Sequence, residues 1–201
     1  MPKTPLSRAK AELRAARNAI GRMRRARDFD ELEDGWRDYL GALEKAWLKA
    51  ERECQTVRVQ FEPWQQPFRA ERKSDPLLCY LTHARNVDTH TIQDTLNQTA
   101  PAVGLGPAYG NSWYIEKLEI KNGQITHYSG DKPLKVTFIP GRLELVTVVD
   151  RGVSYQPPKS HRGEPLPKTD PVSVAEVGLA YYEGFIAAAD GRFFGAKPPA
   201  V

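Results

Sequence analysis

Apolar residues recur along the N-terminal part of the chain at helical spacing. Leu6, Ala9, Leu13, Ala16, Ile20 and Met23 follow at steps of three and four, one stripe on one helix. The stripe is thin and alanine-rich, which predicts close or partial packing, and Gly21 loosens its last turns. Phe29, Leu32, Trp36, Leu40, Leu43, Trp47 and Ala50 make a far heavier stripe. Asp28 or Asp30 suits its N-cap, and Glu31, Glu33 and Asp34 its first turn, with the helix running to about Cys54. Trp36 and Trp47 read as core or interface anchors.

Pro63 and Pro67 then predict an irregular connector over 61–75 with one short helical turn. Asp75-Pro76 is an N-cap followed by a proline at the first helical position, so a third helix is expected over 76–97. Residues 99–112 are rich in Ala, Gly and Pro and read as a linker; Gly104-x-Gly106 lacks the setting of a phosphate loop. Trp113–Lys121 and Gln124–Tyr128 flank Asn122-Gly123, a strong hairpin signal. Leu134–Ile139 and Leu143–Val149 are expected to pair around Pro140-Gly141, and Asp150-Arg151-Gly152 turns into a short strand at Val153-Ser154-Tyr155. A Pro- and Lys-rich loop follows over 156–170, where His161 and Arg162 are within the reach of a phosphate backbone or simply solvated. Asp170-Pro171 repeats the helix-start signal for a last helix over 171–191, closed near Gly191. The expected fold is α+β: a single domain over 1–201, mainly a four-helix bundle, with an antiparallel β-meander at 113–156 inserted before the last helix.

Candidate chemistry lies in Tyr80-Leu81-Thr82-His83-Ala84-Arg85-Asn86-Val87-Asp88-Thr89-His90. Arginine clamps phosphate oxygens with a permanently charged fork, and histidine moves protons near neutral pH. Together they suffice to break a phosphodiester without a metal. On a helix turning about 100° per residue, Cys79, His83, Asn86 and Asp94 fall within about 40° of His90. Leu78, Leu81, Ile92 and Leu96 take the opposite face. Arg85 lies about 140° from His90 and Asp88 about 160°, both toward the apolar side. Arg85 is therefore either a structural ion pair with Asp88 or another acid, or one half of a site completed by a second subunit.

The pattern Arg85-Asn86-x-x-x-His90 resembles the signature of the HEPN superfamily. That resemblance implies a helical bundle that dimerises on the motif helix, forming a composite site from both chains. It implies a metal-independent RNase that leaves 2′,3′-cyclic phosphate and 5′-hydroxyl ends. Arg85, Asn86 and His90 would be the catalytic set, with His83 and Asp88 accessory. A toxin or defence effector would add an antitoxin or other protein partner, in the cytoplasm. The β-meander is not part of the minimal bundle, and a non-catalytic dimerisation or interaction module is the alternative.

Charge adds a second element. Residues 1–27 hold nine basic side chains against the single acid Glu12, while the whole chain carries +4. Arg14, Arg17, Arg24 and Arg25 are candidates for nucleic-acid contact; a solvated helix face and a transit peptide are the other readings. With 27% charged and 40% hydrophobic residues over 201 positions, the composition is that of a soluble globular domain. No apolar run reaches the length of a membrane span. Cys54 and Cys79 read as buried thiols, and no metal site or cofactor is expected.

Overall fold

The two N-terminal stripes form α1 (Ser7–Met23) and α2 (Phe29–Glu53) in a computed structural model that describes residues 5–139 and 141–195. Lys3 and Pro140, the latter at the expected Pro140-Gly141 turn, lie outside the described residues. Small side chains let the helices approach: Ala9, Ala16 and Ala19 are buried, and a Cβ on Gly35 would come within 2.7 Å of Met23 Cγ. Asp28 is the cap of α2, accepting the Glu31 N–H at 2.8 Å. Trp36 and Trp47 are core anchors, Trp47 stacking on Phe185 with centroids 4.6 Å apart. Both cysteines are free thiols, Cys54 buried and Cys79 half-buried.

The expected connector at 61–75 is instead a full helix, α3 (Arg58–Ser74), which follows a 3-10 turn at Gln55–Val57. Pro63 and Pro67 are exposed, so the carbonyls they leave unpaired lie on the solvent side and can be met by water. The opposite face supplies the stability. Phe61, Trp64 and Phe68 pack against Phe185 and Phe193 of α5 (Pro171–Phe194), and packing overrides propensity. The same aromatic cluster draws α5 past Gly191, its expected end.

The motif helix, α4 (Pro76–His90), is shorter than the expected 76–97. Thr91 ends it. Its Oγ1 donates to the Val87 carbonyl at 2.8 Å and accepts the Gln93 N–H at 3.1 Å, taking bonds that another helical turn would use. Ile92, expected on the core face, is fully exposed. Leu96 is buried, but in strand β1 (Leu96–Thr99).

A ladder of ion pairs joins α1 and its C-terminal cap residue, Arg24, to α5. Lys10 meets Asp190 at 2.7 Å, Arg17 meets Glu183, and Arg24 meets Glu176. Both sets recur every seven residues in opposite order, so the helices run antiparallel.

The β segment is nested rather than a meander. β2 (Ala102–Pro107), within the expected linker, pairs antiparallel with β5 (Leu134–Ile139); β3 (Ile115–Lys121) pairs with β4 (Gln124–Gly130); and β1 pairs with β6 (Arg142–Leu145). The alternation of Val103, Leu105 and Pro107 matches that of Phe138, Val136 and Leu134 across the ladder, and this sets the partner. Asn122 and Gly123 have φ of 49° and 77°, the left-handed pair that a two-residue hairpin requires. The chain divides into two units, residues 98–142 and the helical unit formed by the rest. The helical unit also contains the hairpins β7 (Val148–Asp150)–β8 (Val153–Tyr155) and β9 (Ser160–His161)–β10 (Glu164–Pro165).

Gly178 marks a close approach of α5 to α2 and α4. A Cβ there would lie 2.5 Å from both Tyr39 Oη and Leu81 Cδ1. Gly178→Ala is expected to destabilise the fold by about 1–3 kcal/mol through overpacking, measured by urea denaturation; a midpoint equal to wild type would show that the helices separate freely.

Candidate active site on the motif helix

The start of α4 is held by one buried carboxylate. Asp75 accepts the N–H groups of Leu77 and Leu78 at 3.0 Å, the Arg162 N–H at 2.6 Å and a bond from His161 Nδ1 at 3.0 Å. Burial pushes its pKa up, but the Arg162 N–H and the His161 and Leu78 bonds outweigh that, and the net shift is downward. His161 and Arg162 are thus occupied by the fold, Arg162 also pairing with Glu71. Arg162 and Gly163 carry positive φ in the β9–β10 turn, which aims the Arg162 N–H at Asp75.

The end of α4 is fixed against β7. Gln93 acts as a substitute strand edge, donating to the Thr147 carbonyl at 2.9 Å and accepting the Val149 N–H at 3.1 Å. Tyr80 Oη donates to the Val146 carbonyl at 2.8 Å. The turn at Arg151 and Gly152, with φ of 52° and 79°, then leaves Asp150 against the polar stripe of α4.

There Asp150 Oδ2 lies 2.7 Å from His83 Nδ1 and accepts Asn86 Nδ2 at 3.0 Å. The His83 ring stacks on Tyr155 with centroids 3.7 Å apart and planes 10° from parallel. Hydrogen bonds from His83 and then Asn86 hold the Asp150 carboxyl below its ordinary pKa. An ionised carboxylate only accepts, so Nδ1 of His83 carries the proton of this bond, and Nε2 is the ring nitrogen left to face other groups. Nε2 has no hydrogen-bond partner among the described residues.

Arg85 is half-buried and donates from Nη1 to Asn86 Oδ1 at 3.3 Å. The bonds therefore run without a break from Arg85 through Asn86 and Asp150 to His83. No carboxylate lies within 4.0 Å of Arg85 among the described residues, so the expected pair with Asp88 does not form. Asp88 is held instead by Arg37 Nε of α2 at 3.0 Å. His90 is exposed at the last position of α4. Asn86 therefore bonds Arg85 and Asp150, not His90.

Of the basic candidates on and just after α1, Arg17 and Arg24 are consumed in the ladder to α5, while Arg14 and Arg25 are exposed. Asp150 and Tyr155 escaped the sequence reading, in which they served only as turn and strand residues. The tight Asp150-Arg151-Gly152 turn was the one available signal that Asp150 sits at a defined point.

Asp150 and Asp75 both have folded pKa values below the ordinary 3.8. Their contribution is full above that value and is lost as pH falls through the lowered folded values. Stability is expected to be flat near neutrality and to fall below about pH 4, measured by thermal melts across pH. A protein equally stable at the acid end would refute the assigned bonds.

Among the described residues, no group of three His, Cys, Asp or Glu side chains is placed to hold a metal ion. No described helix is long and apolar enough to cross a membrane. No family model, curated protein or solved structure gives a significant match to this chain.

Proposed function

We propose that the protein is a metal-independent endoribonuclease of HEPN type, with its proton-transfer chemistry on the polar stripe of α4. The observation that carries this reading is the bonded series Arg85–Asn86–Asp150–His83, which couples a cation that has no carboxylate partner among the described residues to a histidine whose Nδ1 is held by Asp150. His83 Nε2 takes the proton of a ribose 2′-hydroxyl, and the 2′-oxygen forms its bond to the adjacent phosphorus. The bond from phosphorus to the 5′-oxygen breaks, and that oxygen receives a proton. His90, on the same stripe about 10 Å further along the axis, is the donor. Products are a 2′,3′-cyclic phosphate and a 5′-hydroxyl end. Arg85 adds positive charge behind Asn86 and stabilises the developing phosphorane. DNA, lacking the 2′-hydroxyl, resists.

In this reading RNA is the substrate and the protein works in the cytoplasm. A homodimer built on α4 brings Arg85 of one copy toward His90 of the other, across the angle that separates them on a single helix. A toxin role would add an antitoxin as protein partner.

A second reading, a non-catalytic interaction module, draws on the 98–142 unit. Val103, Leu105, Pro107, Leu134, Val136 and Phe138 share one face of the β2–β5 ribbon, and Phe138 is 69% exposed. Incubation of the purified protein with structured RNA in EDTA separates the two. The nuclease gives cyclic-phosphate ends, and the module leaves tRNA, rRNA and mRNA intact.

A further inference from the structure

His83 and Asn86 line a cleft of about 500 Å³ whose far wall is α3, and that wall is basic. It presents Arg69, Arg72 and Lys73, with Glu44 and Trp47 contributed by α2. Arg69 donates to Glu51 at 2.8 Å, outside the cleft lining. Arg72 is the unusual member. Its side chain is only 11% exposed, its guanidinium lies 4.3 Å from the centre of the Trp47 ring, and Nη2 donates to Glu44 at 2.6 Å. Its Nε is buried with no hydrogen-bond acceptor among the described residues. That nitrogen is closed off inside the bundle, and Tyr182 and Thr82 also lie against the guanidinium, so what Arg72 brings to the cleft wall is a charge fixed in place. Lys73 is exposed and makes no ion pair among the described residues. Glu44 is thus offset by Arg72, while Lys73 leaves the cleft with a positive charge across from His83.

We propose that this cleft is a subsite for the phosphate of an RNA phosphodiester. Arg72 and Lys73 would donate to its non-bridging oxygens while His83 serves the neighbouring ribose. Arg72, held flat by Trp47 and tied to Glu44, supplies a fixed charge, and Lys73 supplies a point charge on a flexible stem. The cleft volume is that of a pocket for one nucleotide-sized group. The RNA identity of the ligand rests on the nuclease reading, whereas binding of a phosphodiester rests on the cleft alone.

The test is calorimetric titration, in EDTA, of a 2′-deoxy oligonucleotide that cannot be cleaved, alongside cleavage of the matching RNA. Lys73→Glu is the test variant, since Lys73 is exposed and has no ion-pair partner among the described residues. Lys121→Glu, in the 98–142 unit, controls for net charge. Lys73→Glu is expected to weaken binding about tenfold or more, with Lys121→Glu near wild type and a shallower salt dependence in the test variant alone. Equal weakening by both variants, or none by Lys73→Glu, overturns the subsite. Wild type that cleaves RNA without this Lys73-dependent binding also overturns it and leaves the nuclease reading standing. Lys73-dependent binding in a protein that never cleaves RNA upholds the subsite and removes the nuclease.

Discussion

His83→Ala is expected to slow RNA cleavage by roughly 10²–10⁴ fold, the range that a positioned general base contributes. The argument is geometric. Asp150 fixes the tautomer, Tyr155 fixes the plane of the ring, and Nε2 is left without a partner among the described residues. The substitution also removes the stack on Tyr155, so its melting temperature is measured beside its rate. Asp150→Asn keeps the shape but offers an amide to Nδ1, so its rate loss comes with a displaced pH–rate profile, a readout that a purely structural Asp150 would leave unmoved. Cleavage by folded His83→Ala at the wild-type rate would sink the assignment, and an equal loss in His90→Ala would fit the two-histidine scheme.

Asp75→Ala is expected to have the largest effect on stability. Four donors converge on one buried carboxylate, joining the first turn of α4 to the β9–β10 turn. Removing it strips the helix cap and leaves the Arg162 N–H without its acceptor, a combined cost of about 3–5 kcal/mol. For a domain of this size that lowers the melting temperature by roughly 10 °C. Asp75→Asn retains an acceptor oxygen and should lose less. A shift of only a degree or two in Asp75→Ala would mean that α4 is held by its apolar face alone.

Elements whose stability is local were legible in the chain itself. The stripe from Leu32 to Ala50, the Asp75-Pro76 and Asp170-Pro171 starts and the Asn122-Gly123 hairpin all appear where spacing and caps place them. α3 was hidden because prolines weigh against a helix locally, whereas its aromatic face meets α5 across more than a hundred residues of chain. β2 was hidden because Gly104 and Gly106 mask the alternation of the residues between them. The end of α4 turned on a single threonine hydroxyl. In the site, Arg85 and Asn86 were named from the motif together with His90, and His83 only as an accessory on the same stripe; the residue that connects Asn86 to His83, Asp150, lies 64 residues beyond Asn86. Nothing in the local pattern around Asp150 points back to α4. The basic character of α1 was plain, yet its partners Glu176, Glu183 and Asp190 are on the last helix, so much of that charge serves cohesion rather than a surface for RNA.

The pairing of β1 with β6 has a consequence for how this protein can be altered. The chain leaves the helical unit along one strand and returns along its immediate neighbour, so the two crossing points are about one strand spacing, 4.8 Å, apart. Residues 98–142 therefore form a cassette. A tight turn can bridge the gap in their place, and a foreign module with adjacent ends can be grafted there.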